Sequence, residues 1–277
     1  MTDLDFDQQH YVSFSYFLER ACGIVLGDNK QYLVRSRLTP LVKQFSYLTI
    51  DAYIDSVIKG NRQHQTAAIE AMTTNETLWF RDDYPFKLLE NPILSQFSGN
   101  NRQLRVWSAA CSSGQEAYSI AMTILNFKKQ QPNSFRAGIE IVGSDISEEM
   151  LQRCRLAEYD QLAISRGLPS QFKFDFFEPA DNNKLRLKSP IKALTKFKPI
   201  NLLDSFSSLG KFDIIFCRNV LIYFSTDVKK QILQKIAACL QDDGILFLGA
   251  SESLSGLTEK YTMVRRSPGL YYVKKPI

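Results

Sequence analysis

Up to about Thr74 the chain carries apolar residues at helical spacing. In "YVSFSYFLERACGIVL", Val12, Phe14, Phe17, Leu18 and Cys22 fall at three- and four-residue spacing, which predicts an amphipathic helix ended by the "GDNK" break at Gly27. "YLVRSRLTPLVKQF" is apolar at Leu33, Val34, Leu38, Leu41 and Val42 with basic residues between, and Pro40 inside it predicts a kink or a split. "DAYIDSVIKG" and "TAAIEAMTTN" add two further amphipathic turns, so residues 1–74 read as a small helical domain. From Arg102 the pattern changes. "LRVWSAA", "IEIVGSD", "FDIIFCRN" and "DGILFLGASE" are short apolar runs, and the amphipathic segments "EAYSIAMTILNFKK", "SEEMLQRCRLAEY" and "VLIYFSTDVKKQILQKIAACL" lie between them. That alternation predicts βαβ units and a mostly parallel sheet. "YTMVRRSPGLYYVKK" closes the chain as a hairpin with a three-residue connection at Ser267, Pro268 and Gly269.

Composition narrows the class. The chain has 277 residues, 44% hydrophobic and 23% charged, an ordinary globular balance. "MTDLDFDQQH" is acidic where a secretory signal would be basic, and no stretch approaches the ~20 apolar residues of a membrane span. Five scattered cysteines with no C-x-x-C argue against disulfide scaffolds and zinc, and point to a reducing cytoplasm. Only His10 and His64 are available for histidine chemistry, and no metal is expected. Residues 1–75 carry seven Lys/Arg against eight Asp/Glu, the remainder 27 against 21. Two windows lack acids: Lys30 to Ile50, with Lys30, Arg35, Arg37 and Lys43, and Asn182 to Leu203, with Lys184, Arg186, Lys188, Lys192, Lys196 and Lys198. Each suits an acidic partner, or is solvated surface charge.

In doubly wound sheets the chemistry lies beyond the carboxyl ends of the strands. After "LRVWSAA" comes Cys111-Ser112-Ser113-Gly114-Gln115-Glu116, with one glycine and no G-x-G-x-x-G. A dinucleotide is therefore disfavoured, whereas a nucleoside without phosphates needs only a tight turn. Ser113 and Glu116 also fit a capping box, the reading the residues alone favour for Glu116. Asp145 ends "IEIVGSD"; it suits a ribose diol, or the N-cap of a helix near Ser147, and its pairing with the glycine turn favours ribose. Arg218-Asn219 follow "FDIIFC", and Tyr223 lies in "LIYF". Neither N-P-P-Y nor D-P-P-Y, the signature of many enzymes that methylate nucleobase amines, is present there.

Taken together, "MTTNETLWFR", "VWSAACSSGQEAYSIAM", "VGSDIS", "INLLD" and "FDIIFCRNVLIYF" resemble the chemotaxis receptor methyltransferase family, of the CheR type. The resemblance runs in order from about Phe17 to the C-terminus. It implies an α/β fold: a Rossmann-like S-adenosylmethionine-dependent methyltransferase domain with a small β subdomain insertion, preceded by a small all-helical domain. The boundaries expected are 1–74 for the helical receptor-docking domain, 75–95 for a linker contributing to the cofactor site, and 96–277 for the methyltransferase domain with its insertion about 171–198. The implied reaction moves a methyl group from S-adenosylmethionine to glutamate side chains on chemoreceptor cytoplasmic helices, leaving S-adenosylhomocysteine. By matching position, Asn75, Thr77, Arg81, Glu116, Asp145, Asn201, Leu202, Arg218 and Asn219 contact the cofactor. Arg81 and Tyr223 lie nearest the transferred methyl, and Arg37 and Lys43 face the receptor. The implied partners are chemoreceptor cytoplasmic domains, with no nucleic acid and no membrane insertion, and the protein acts as a cytoplasmic monomer. Two other readings compete: an RNA or DNA methyltransferase using the basic 182–203 window, and a non-catalytic adenosyl-ligand sensor. Against the first, pI is about 8.8 and Phe197 is that window's only aromatic.

Overall fold

A computed structural model describes residues 7–276. The chain divides into two compact units, one running to Thr74 and including Tyr223–Val228, the other comprising Asn75–Ile222 and the chain from Lys229 on.

The first unit is built on α1 (Gln8–Cys22), α2 (Gln31–Gln44), α3 (Ile50–Ile58) and α4 (Arg62–Met72). Side-chain caps start three of them: Asp7 accepts from His10 N, Thr49 from Ala52 N and Asn61 from His64 N. The buried face of α1 is Tyr11, Phe14, Leu18 and Cys22, an i, i+3, i+4 stripe; Val12, expected inside, is 57% exposed. In α2 the buried stripe is Val34, Leu38 and Val42. Pro40 does not split this helix. It falls on an exposed position, as does Ser36, so the carbonyl that loses its intrahelical donor lies on the water-facing side. His64 is buried among Phe45, Tyr47 and Tyr53, a packing role.

In the second unit, the short helices α5 (Tyr84–Leu88) and α6 (Leu94–Phe97) precede β1 (Leu104–Ala109), α7 (Gln115–Gln130), β2 (Ile139–Asp145) and α8 (Glu148–Leu156). Then come β3 (Glu158–Tyr159), α9 (Gln161–Ser165), α10 (Ser170–Phe176), β4 (Phe177–Ala180), β5 (Lys184–Leu187), α11 (Ser189–Lys192) and β6 (Thr195–Pro199). The chain ends with β7 (Phe212–Cys217), α12 (Thr226–Cys239), β8 (Leu240–Phe247), β9 (Tyr261–Arg266) and β10 (Gly269–Lys274). The main sheet has the order β6-β2-β1-β7-β8-β10-β9; it is parallel from β6 to β8 and antiparallel at β10 and β9. β1 and β7 are almost wholly buried along their length, as a parallel sheet covered on both faces requires.

Two expected boundaries move. The small antiparallel sheet, β3-β5-β4, takes its first strand from Glu158–Tyr159, ahead of the 171–198 segment. Thr195–Pro199, inside that segment, is instead an edge strand of the main sheet, because its backbone pairs in parallel with Ile141–Asp145. The terminal hairpin turns on two residues, Ser267 and Pro268, since Gly269 already pairs with Arg266.

Candidate functional site

β1 lies between β2 and β7, so the strand order reverses there and a crevice opens at the strands' carboxyl ends. After β1 the chain passes through Ala110 and Ser112 at positive φ and reaches Gly114 at φ +93°, the N-cap of α7. A Cβ on Gly114 would lie 3.0 Å from Cys154 Sγ and 3.2 Å from Tyr118 Cε2, so both conformation and room select glycine. The turn presents Ser112 N to Asp145 Oδ2 at 2.8 Å, and Asp145 Oδ1 accepts from Ser147 N at 3.0 Å. Burial pushes the Asp145 carboxyl above its ordinary range, with these backbone amides and that of Ile146 pulling against it. Each oxygen keeps lone-pair capacity for a ligand hydroxyl. Asp145 is not the N-cap of α8; Ser147 is, accepting from Met150 N at 3.2 Å.

Nor is Glu116 the partner of Ser113 in a capping box. Ser113 Oγ donates to Gln115 Oε1 at 2.9 Å, while Glu116 turns inward. Its Oε1 accepts from Ser108 Oγ at 2.8 Å and its Oε2 from Arg218 Nη1 at 3.0 Å. The capping box fails because Gly114, which has no side chain, occupies the N-cap position. Burial raises the Glu116 carboxyl above its ordinary range, opposed by the Arg218 charge and the hydrogen bonds from Ser108 and Arg218.

Arg218, directly after β7, has a side chain only 1% exposed. Its Nη2 donates to Arg81 O and to Asp82 Oδ2, both at 2.7 Å, and its guanidinium lies over the Phe86 ring. One buried cation thus joins the glycine-turn helix to the turn at residues 80–83. That turn holds Phe80, Asp82 and Asp83 at positive φ, uncommon for residues with a Cβ. Phe80 N donates to Ser119 Oγ at 3.1 Å, fixing the turn against α7. The Arg81 side chain donates through Nη1 to Glu76 O at 3.1 Å, leaving other guanidinium donors for a ligand. Asn75 O accepts from Ser112 Oγ at 3.0 Å, which ties the 75–81 segment to the glycine turn; Asn75 and Thr77 are half-buried. Trp79 is fully buried against Tyr159 and Phe177, and its neighbour Glu76 forms an ion pair with Arg166.

Beyond β6, Asn201 Oδ1 accepts from Leu203 N at 3.0 Å and Leu202 is buried. Beyond β7, Asn219 sits at φ +58° with its backbone N on Glu252 Oε2 at 2.7 Å. The expected residues of the second unit therefore follow β1, β2, β6 and β7 or line the 75–81 segment. Tyr223, Arg37 and Lys43 belong to the first unit, where Tyr223 O accepts from Val25 N at 3.0 Å. There Arg37 Nη1 donates to Ala71 O at 2.9 Å and to Thr73 O, at the end of α4; Lys43 is exposed. The sequence pattern does not single out Asp82 or Glu252, whose partners Arg218 and Asn219 lie far away in the chain, or Ser108, whose partner Glu116 is eight residues on.

The donor set fits a nucleoside ligand without phosphates. The carboxyl ends of β1 and β2 offer acidic groups, Glu116 and Asp145, which suit hydroxyls and a cationic amino-acid end and would repel a phosphate. Comparison with known proteins agrees. Residues 75–269 match the CheR methyltransferase SAM binding domain, and residues 9–73 match the CheR all-alpha domain. The chain is 51% identical over 276 residues to a chemotaxis protein methyltransferase of Vibrio parahaemolyticus, covering 99% of this chain and all of that one. It is 51% identical over 276 residues to chemotaxis protein methyltransferase 1 of Vibrio cholerae, with the same coverage. It is 49% identical over 278 residues to a chemotaxis protein methyltransferase of Pseudomonas putida, covering 99% of this chain and 98% of that one.

Proposed function

The chain belongs to the CheR family of S-adenosylmethionine-dependent chemotaxis methyltransferases, and from that premise we propose that its acceptors are glutamate side chains on the cytoplasmic helices of chemoreceptors. The observation that carries the proposal is the full-length likeness to proteins named for chemotaxis methylation, at about half identity with both domains present. On this reading the protein works in the cytoplasm as a monomer, giving glutamate methyl esters and S-adenosylhomocysteine. Among the described residues, no helix is long and apolar enough to cross a membrane.

S-adenosylmethionine, when bound, supplies an electrophilic methyl group on a sulfonium. The acceptor glutamate, with an ordinary pKa of about 4.3, is already a carboxylate at neutral pH. No general base is required, so the chain's task is placement. Asp145 holds the ribose diol, Asn201 and Leu202 flank the base, and Asn75, Thr77 and Asn219 complete the cofactor's contacts. Glu116 supports the same site with Arg218, whose guanidinium also holds Arg81 O and Asp82. Arg81 grips a carboxylate with its planar fork, and Tyr223 orients the acceptor oxygen by a hydrogen bond. Charge is lost as carboxylate and sulfonium become ester and thioether, so a cation serves as an anchor and not as a charge placed beside the methyl.

The basic 182–203 window does not favour a nucleic-acid substrate. Arg186 pairs with Glu178, Lys196 with Glu140, and Lys188 and Lys192 donate to backbone carbonyls. Incubation with labelled S-adenosylmethionine and either chemoreceptor-bearing membranes or total RNA tests the proposal. Base-labile label on the membranes is expected; label in RNA, or binding without transfer, would refute it. Arg81→Ala and Tyr223→Phe are each expected to lose turnover, Tyr223→Phe with affinity for S-adenosylhomocysteine unchanged. Wild-type turnover in both would remove their assigned roles.

A further inference from the structure

Glu252 lies outside the motifs that carry the family resemblance. Its Oε2 accepts two backbone amides, Asn219 N and Gly249 N, each at 2.7 Å. These amides come from the loops that follow β7 and β8, parallel neighbours whose carboxyl ends border the crevice. One carboxylate oxygen therefore bridges the exits of two adjacent strands.

The surroundings are built around that bridge. Asn219 holds φ +58°, a left-handed conformation that asparagine adopts more readily than most residues with a Cβ. A charge-assisted hydrogen bond from its own N–H to Glu252 adds to the hold on that conformation. Gly249 makes room for it. A Cβ there would lie 2.6 Å from Asn219 Nδ2 and 2.8 Å from Glu252 Oε2. The Asn219 side chain thus lies against the Gly249 backbone while its main chain hangs on Glu252. The second oxygen, Glu252 Oε1, is buried and has no hydrogen-bond partner among the described residues. Burying that oxygen without a partner costs the fold free energy, a cost that a role in the neighbouring site would account for.

We propose that Glu252 is a positioning residue of the cofactor site: it fixes the backbone of Asn219 so that the Asn219 side chain meets the amino-acid end of S-adenosylmethionine. The proposal rests on the reading of Asn219 as a cofactor contact. Glu252 does not touch the cofactor; it acts through Asn219.

The test is calorimetric titration of the full-length protein with S-adenosylhomocysteine, beside melting midpoints and steady-state kinetics. Glu252→Ala is expected to weaken binding about tenfold, the size of one lost charge-assisted hydrogen bond, and to raise KM for S-adenosylmethionine by the same factor with a smaller change in kcat. Glu252→Gln, which keeps an acceptor oxygen, stays within about threefold of wild type. A Glu252→Ala protein of wild-type affinity overturns the proposal even if its melting midpoint falls, because that pattern is a purely structural role. A Glu252→Gln protein as weak as Glu252→Ala overturns it too, since charge and not placement would then matter. If Glu252→Ala does not fold, Glu252→Asp takes its place: it is charged but one methylene too short for both amides, so the same loss is expected and wild-type affinity is again fatal. Asn219→Ala separates the two layers. Wild-type affinity in Asn219→Ala overturns the reading of Asn219 and the proposal with it. A weak Asn219→Ala beside an unaffected Glu252→Ala overturns the proposal alone.

Discussion

Arg218 shows what one side chain can organise. The family resemblance implies a cofactor contact for it, and in the fold its guanidinium is shared between Glu116, Asp82 and the carbonyl of Arg81. Only a planar fork with several donors reaches acceptors in three directions; an ammonium is a single point. Arg218→Lys is therefore expected to leave at least one of these buried acceptors unpaired and to destabilise the protein by about 2 kcal/mol, and Arg218→Ala, which leaves Glu116 without a counter-charge and with only its hydrogen bond from Ser108, by roughly 3–5 kcal/mol. Melting followed by circular dichroism checks both, and a wild-type midpoint for Arg218→Ala would contradict the strut role. Asp145 makes a contrasting case. Burial raises its carboxyl even with three backbone amides pulling it down, so the fold holds a carboxylate there at a cost. Asp145→Ala is expected to lower affinity for S-adenosylhomocysteine by at least about tenfold through lost ribose hydrogen bonds. Calorimetry that finds wild-type affinity would exclude Asp145 as the ribose ligand.

At the scale of elements, α1 and α3 are joined by a charged cluster. His10 lies 2.8 Å from Asp7, 3.6 Å from Asp51 and 3.3 Å from Asp55. Burial alone would lower its pKa, but the hydrogen bond to Asp7 and the charges of Asp51, Asp7 and Asp55 outweigh that and raise it above 6.5. A raised folded value means that the His10 contribution is complete below 6.5 and is lost as pH climbs through the folded value. Asp7 and Asp55 are lowered, first by the His10 amide and by Lys59 respectively, so their share disappears only on acidification below 3.8. The gap in melting midpoint between wild type and His10→Gln should therefore be wider near about pH 6 than near about pH 8.5, and an equal gap would refute the ion-pair role. Much at this scale was legible from the chain. The parallel sheet and the longer helices, α1 to α4, α7, α8 and α12, follow from periodicity, because burial of one face acts directly on which positions are apolar. Contacts whose determinant is distant backbone were not legible. Glu252 recognises an amide 33 positions away, and a two-residue strand such as Glu158–Tyr159 carries too few positions to show an alternation. The S-x-x-E pattern at Ser113–Glu116 misled for a related reason: a glycine N-cap needs no side chain, which frees Glu116 to turn into the core.

For the whole molecule, charge is divided unevenly. Residues 1–75 are nearly neutral overall, yet they contain the acid-free stretch with Lys30, Arg35, Arg37 and Lys43. These four cations are not equivalent. Arg37 is occupied by the carbonyls at the end of α4, and Lys30 lies 5.7 Å from the Tyr32 ring centre, whereas Lys43 projects from the last turn of α2 into solvent. If Glu-rich receptor helices dock on this surface, the attraction is between solvent-facing charges and is screened with a Debye length of about 8 Å at physiological ionic strength. Methylation of receptor-bearing membranes should then slow as salt is added, with affinity for S-adenosylhomocysteine unchanged. Lys43→Ala should flatten that salt dependence at an unaltered melting midpoint. Arg37→Ala should instead lower the midpoint by roughly 1–3 kcal/mol in stability, because the carbonyls of Ala71 and Thr73 lose their donor. A methylation rate indifferent to salt, or a Lys43→Ala protein as salt-sensitive as wild type, would move the docking surface elsewhere. A Lys43→Ala protein that melts early would mean that this lysine, too, serves the fold.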